Sequence, residues 1–152
     1  MNRTPFALFA LLFFVPVAAT AATFRVDDSA SLPNESNTPM QWKSLAPNRA
    51  VGNAVEGVTV VNVRLNTAPW LNRIGKIYMA LPEQPIGTVT AEWSTQGRLL
   101  AGSLVSGRRT LVYSGPIRTS LLEDTIALRI SADGRRLVSP QRLQFYFEID
   151  VD

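Results

Sequence analysis

The sequence predicts an all-β sandwich, on three observations. Apolar residues recur at every second position through most of the chain, the runs are short and bounded by Gly- and Pro-bearing turns, and almost nothing has helical spacing. A period of two places alternate side chains on opposite faces of a strand, so each run has one face for a core and one for water.

Taken in order, the chain opens on a different pattern. Arg3 precedes an apolar run from Phe6 to Val17, and small residues follow from Ala18 to Ala22. This is the layout of a secretory signal peptide over 1–21, with Ala19 and Ala21 meeting the small-x-small cleavage rule. The apolar run is shorter than the roughly 20 residues a spanning helix needs, and Pro16 interrupts it, so the sequence predicts export and no membrane span in the mature chain. Residues 22–39 then read as an N-terminal extension, Ala22 to Val26, and a polar, Pro-containing flexible connection.

Residues 40–152 form the predicted sandwich domain. Val61, Val63 and Leu65 alternate with Asn62, Arg64 and Asn66; Val89, Ala91 and Trp93 with Thr88, Thr90 and Glu92; Ile126, Leu128 and Ile130 with Thr125, Ala127 and Arg129. Further runs span 74–81, 98–105 and 110–114. Ser94 to Gly97 reads as a hairpin turn and Asp133-Gly134 as a second turn, while Pro140 breaks the return from it. Ser120 to Asp124 is expected to form a single helical turn. Seven or so short strands at regular spacing indicate an immunoglobulin-like sandwich, with a small closed barrel as the alternative.

The available chemistry is narrow. Histidine and cysteine are absent, which removes Ser-His and Cys-His nucleophile pairs, the usual zinc and copper ligand sets and thiol redox chemistry. Glu83, Glu92, Glu123 and Asp124 read as solvated surface charge rather than a glycosidase pair. No catalytic residue, metal site or cofactor is expected. Loss of Arg3 with the signal turns 15 basic and 12 acidic residues into 14 and 12, a mild balance that gives no footing for nucleic acid. Trp93 has core parity; Trp42 and Trp70, beside turns, are possible ligand platforms.

The final run is the most regular. Leu143, Phe145, Phe147, Ile149 and Val151 share one face, alternating with Gln144, Tyr146, Glu148, Asp150 and Asp152. On the extension, Phe24, Val26, Ala30 and Leu32 share parity, with Asp28 interrupting that face. Signal, short apolar extension, polar connection, sandwich strands and alternating terminal strand together resemble chaperone-usher fimbrial subunits, the pilins, of the cysteine-free kind. The resemblance implies an immunoglobulin-like sandwich lacking its last strand and completed by a donated one. Leu143, Phe145, Phe147, Ile149, Val151 and Asp152 would then wall the groove and bind the chaperone, and Phe24, Val26, Ala30 and Leu32 would be the donor strand. It further implies a periplasmic chaperone, an outer-membrane usher and other fimbrial subunits as partners, and a journey from periplasm to cell surface. The competing expectation is a self-complete exported sandwich that binds carbohydrate or a protein partner.

The exported product is expected to begin near Ala22 by intact-mass measurement. Retention of Phe6 to Val17 in that product would overturn the signal assignment.

Overall fold

Two strands of equal length form the spine of the molecule. In this computed structural model, which describes residues 22–44 and 52–151, β4 (Ala54–Asn66) pairs with β9 (Leu121–Asp133) along their whole lengths. The expected signal segment 1–21 and Asp152 lie outside the described residues. Around the spine stand β1 (Ala22–Arg25), β2 (Leu32–Pro33), β3 (Gln41–Trp42), β5 (Ile74–Leu81), β6 (Thr90–Thr95), β7 (Gly102–Val105), β8 (Arg108–Pro116) and β10 (Tyr146–Val151). All ladders are antiparallel. One sheet has the order β1-β10-β5-β8; the other runs β2-β4-β9-β6-β7, with β3 also on β4.

The chain is therefore an all-β sandwich, and its core is the set of positions that period two selects. Val63, Leu65, Ile77, Met79, Val89, Ala91, Trp93, Leu104, Ile126, Leu128, Phe147 and Ile149 are buried together between the sheets. Each fully buried aliphatic or aromatic side chain contributes roughly 1.5–3 kcal/mol, so this face-to-face packing is the main source of stability. The pairings β4-β9-β6 and β10-β5, with the β4–β5 and β9–β10 links crossing between sheets, match the arrangement of an immunoglobulin-like sandwich.

The two flanks of the sandwich differ. On one, edge strands β7 and β8 are joined by the tight Ser106-Gly107 turn, where Gly107 has φ 82°. Thr110 donates its hydroxyl to Ser103 O across that join, which closes the flank. On the other, the edges are β1 in one sheet and β2 with β3 in the other, linked by residues 26–31.

Several elements differ from expectation for identifiable reasons. Ser120 to Asp124 does not form a helical turn, because Leu121 to Asp124 pairs with Val63 to Asn66 of β4 and puts Leu122 inside. The 98–105 run is a strand only from Gly102. Its first residues fold inward as a loop, with Trp93 Nε1 donating to Leu100 O and Thr95 Oγ1 to Leu99 O. Asp124 is not a solvated surface charge: it is buried, and its carboxylate accepts the Leu99 and Thr125 backbone N–H groups, both at 2.7 Å. The 27–39 connection is pinned along β4. Asp27 bridges Asn66, and the Ser31 hydroxyl both accepts from Arg64 N and donates to Arg64 O.

Truncation of Asp124 leaves the buried Leu99 N–H without a partner. Asp124→Ala is expected to lower the unfolding free energy by about 1–3 kcal/mol in urea titration. A loss within error of zero would show that water replaces the carboxylate there.

Candidate functional site

β10 is where the extension meets the terminal strand. Its inner face carries Phe147, Ile149 and Val151, all buried, and its outer edge is covered by β1 through four pairs, from Ala22↔Val151 to Arg25↔Glu148. Val26 N donates to Phe147 O at 2.9 Å, and the Val26 side chain drops into the core at 1% exposure. β1 runs antiparallel to β10, in the position where an immunoglobulin-like sandwich holds its final strand.

Beyond Val26 the chain departs for the other sheet, and the flank opens. An Asx turn, with Asp27 Oδ1 accepting from Ser29 N, and the Ser31 N to Asp28 O bond turn the backbone away from β10. Between the departing segment and residues 143–147 lies a cavity of about 1190 Å³. Its apolar lining includes Met40, Val61, Ile86, Leu128, Phe145 and Phe147. Met40 is seated on Gly57, where a Cβ would come within 2.6 Å of the sulfur, so residue 57 must lack a side chain for residues 38–40 to lie against β4. Polar and charged residues line it as well, Arg25, Glu35 and Arg142 among them, and two are distinctive. The Thr59 Oγ1 is buried and has no hydrogen-bond partner, and Asp28 is raised above its ordinary 3.8 by burial, against the opposing attraction of Arg25.

Leu143 and Phe145 continue the inner face of Phe147, Ile149 and Val151, partly buried at the groove wall. The terminal strand expected from Leu143 begins only at Tyr146, and 143–145 pair with neither β1 nor β5. The four extension residues, by contrast, do not share one strand face. Phe24 is half-exposed with its ring 6.1 Å from that of Trp70, Val26 is in the core, Ala30 is exposed within the turn, and Leu32 is exposed past it, beside Asn62 of β4. Trp70 is 8% exposed and belongs to the core, so its ring is no open platform. Trp42, at 49%, lies over Gly134, where a Cβ would meet the indole at 2.6 Å.

The outer face of the same sheet holds β1 down electrostatically. Arg109 of β8 reaches across the Tyr78 ring, 4.2 Å from its centroid, and makes a bidentate pair with Asp150 at 3.1 Å as well as a 3.3 Å contact to Glu148. Asp150 also accepts the Thr23 hydroxyl of β1 at 2.6 Å. Burial alone would raise the Asp150 carboxyl, but the Thr23 hydroxyl and the Arg109 guanidinium outweigh it and hold the group below 3.8. Arg25 lies over Tyr146 at 4.1 Å on the same face. Period two placed these residues outside without showing that they meet; Thr59 shares inward parity with Val61, the one sequence signal that marks it, and Met40, outside any strand, has none.

Among the described residues there is no cluster of acidic side chains able to hold a metal ion, and no helix long and apolar enough to cross a membrane. Comparison with protein families, with curated proteins and with solved structures finds no match to this chain.

Because its folded-state value is lowered, Asp150 contributes stability that is present above the usual carboxylate range and lost as pH falls through that lowered value. Asp150→Asn is therefore expected to speed amide exchange of β1 near neutral pH, after correction for intrinsic rates. The gap to wild type should close below the ordinary carboxylate pKa of about 3.9. A gap independent of pH would mean that the carboxylate charge does not hold β1.

Proposed function

We propose that this chain is a structural or minor subunit of a surface fimbria, held after export by a periplasmic chaperone, passed to an outer-membrane usher and joined to other fimbrial subunits by donor-strand complementation. The observation that carries this reading is the groove between the sheets beside β10, lined in part by Leu143, Phe145 and Phe147, the first two preceding the strand that begins at Tyr146. In strand addition an extended peptide pairs with a sheet edge: main-chain hydrogen bonds supply affinity, and alternate side chains entering a groove supply register. Leu143, Phe145 and Phe147 alternate into the groove wall as that mode requires. A second reading, a self-complete exported sandwich that binds carbohydrate or a protein, is favoured by the exposed Trp42 ring over the Gly134 turn.

Phe147 and its neighbour separate the two sides of β10. Phe147→Ser removes a buried ring, at about 3 kcal/mol, and places a hydroxyl against the groove. Glu148→Ser touches the outer face and loses only the half-exposed contact to Arg109. Co-purification with a co-expressed periplasmic chaperone is expected to fail for Phe147→Ser and to survive in Glu148→Ser, read beside the amount of each variant in the periplasm. Capture of both variants at wild-type level, with equal survival, would overturn the reading.

A further inference from the structure

One end of the sandwich is both apolar and cationic, and it is the end at which β1 begins. β4 stops there at Asn66, opposite Leu121, the first residue of β9. β5 starts there at Ile74, opposite Pro116, the last residue of β8, and Ala22 opens β1 beside Val151, itself opposite Gly75. Two loops, 67–73 and 117–120, cover this end and are tied to each other. Thr67 donates its amide to Ser120 O and its hydroxyl to Thr119 O, Asn72 N donates to Ile117 O, and Ile117 N donates to Arg73 O. Asn72 has φ 64°, the left-handed conformation that Asn tolerates better than most residues. Loops held in this way lose little freedom when something docks on them.

Leu71, Leu121 and Ile74 are exposed at this end, Ile74 by 63%. The segments that build it, 67–76, 95–98 and 116–121, carry Arg73, Lys76, Arg98 and Arg118 and not one acidic residue. Residues 95–98 belong here because Thr95 lies opposite Ile126, Gln96 N donates to Thr125 O, and Arg98 Nη1 reaches Thr119 Oγ1 at 3.4 Å. The acidic groups on flanking strands are engaged elsewhere: Asp27 by Ser29 N, Glu123 by Arg64 and Asp150 by Arg109, while Asp124 is buried. Asp152, next after Val151, is the remaining acidic residue to set against these cations. The opposite end is mixed in sign, with Arg135 held by Asp133 at 2.7 Å and Glu83 beside Gly107. We infer that the 67–76 end of the sandwich docks on an anionic lipid surface, Leu71 and Ile74 entering the headgroup boundary and Arg73, Arg98 and Arg118 lying among the phosphates.

The chain itself brings lipid to this end. Residues 18–21 join the apolar run Phe6 to Val17 to β1, and the five residue steps from Val17 to Ala22 reach at most about 18 Å. A bilayer that holds that run during export therefore lies within this short reach of Ala22, at the end where Leu71 and Ile74 are exposed. Cleavage after Ala21 adds an α-ammonium group at the same place, largely protonated near neutral pH. Apolar side chains and clustered cations favour an anionic bilayer together, the first by insertion and the second by attraction to the phosphates. The inference is independent of what the groove beside β10 takes, since the two lie on different parts of the molecule.

The test is co-sedimentation of the exported product with two sets of vesicles, phosphatidylcholine alone and phosphatidylcholine mixed equally with phosphatidylglycerol. Binding to the anionic vesicles that weakens with added salt is expected, with little binding to the neutral ones. Arg98→Gln/Arg118→Gln is expected to weaken it by about fivefold for each arginine removed, and Leu71→Ser/Ile74→Ser to abolish it. Arg135→Gln/Arg136→Gln, which removes the same charge from the opposite end, is expected to leave it unchanged. All six positions are exposed, so the core is untouched, and amide exchange of β4 and β9 at the wild-type rate checks that each variant is folded. Equal loss in the two arginine variants would overturn the inference, by showing attraction to net charge alone. Binding retained by Leu71→Ser/Ile74→Ser would overturn it too, since no apolar side chain then enters the lipid. Absence of binding to the anionic vesicles at low salt would overturn it outright, and wild-type dimers that Leu71→Ser/Ile74→Ser dissolves would show that a second copy covers this end instead.

Discussion

β10 has an inner face that must be dry and an outer edge that must be hydrogen-bonded, and the rest of the molecule is arranged around meeting both demands. Phe147, Ile149 and Val151 fill the space under β4 and β9, so β10 cannot leave the sandwich without opening the core. Burial of that face brings the backbone edge into a setting where unpaired amides are costly. β5 satisfies one side of β10. On the other, β1 and Val26 satisfy 147–151.

Polar side chains tie the covering strand to the far edge of its sheet. Arg109, reaching from β8 over Tyr78 to Asp150, and Thr23, reaching from β1 to the same carboxylate, make one connected row across β8, β5, β10 and β1. The row is exposed, and its individual ion pairs contribute little on their own. Its effect is geometric: a bidentate guanidinium fixes Asp150 in the orientation that the Thr23 hydroxyl needs.

Much of this fold was legible in the sequence because strand periodicity and core membership are the same property. Val61–Leu65, Val89–Trp93 and Ile126–Ile130 occupy the strands and faces that their alternation indicates. Periodicity does not say which strand lies beside which, and there the reading ran short. Phe24, Val26, Ala30 and Leu32 share parity, yet the Asx turn at Asp27 leaves Phe24 in one sheet and Leu32 in the other with Ala30 in the turn between, a local hydrogen-bonding event that alternation cannot register. Asp124 was misread because a carboxylate on an inward position looks like a surface charge until the loop at Leu99 supplies its donors. The Ser120–Asp124 turn failed for a related reason: a thirteen-residue partner on β4 overrides weak local preference. The groove has no motif at all, being the space left where 26–31 departs from β10.

The pairing of β1 with β10 also sets a clock on folding. Thr23 and Asp150 meet across 127 positions of sequence, whereas the β6–β7 hairpin joins residues 9 to 15 positions apart, from Trp93↔Gly102 to Thr90↔Val105. Chain closure over the longer span costs about 2 kcal/mol more than over a ten-residue loop, before any contact made at the end returns it. Topologies dominated by such distant pairings fold slowly, and this contact joins the two most widely separated strands of the chain. Throughout that delay the other sheet and the β7–β8 flank can already be in place while the oily terminal strand still has a bare edge. A folding molecule in which β10 docks before β1 therefore has its most apolar strand uncovered for an interval whose length is set by how long β1 takes to find it.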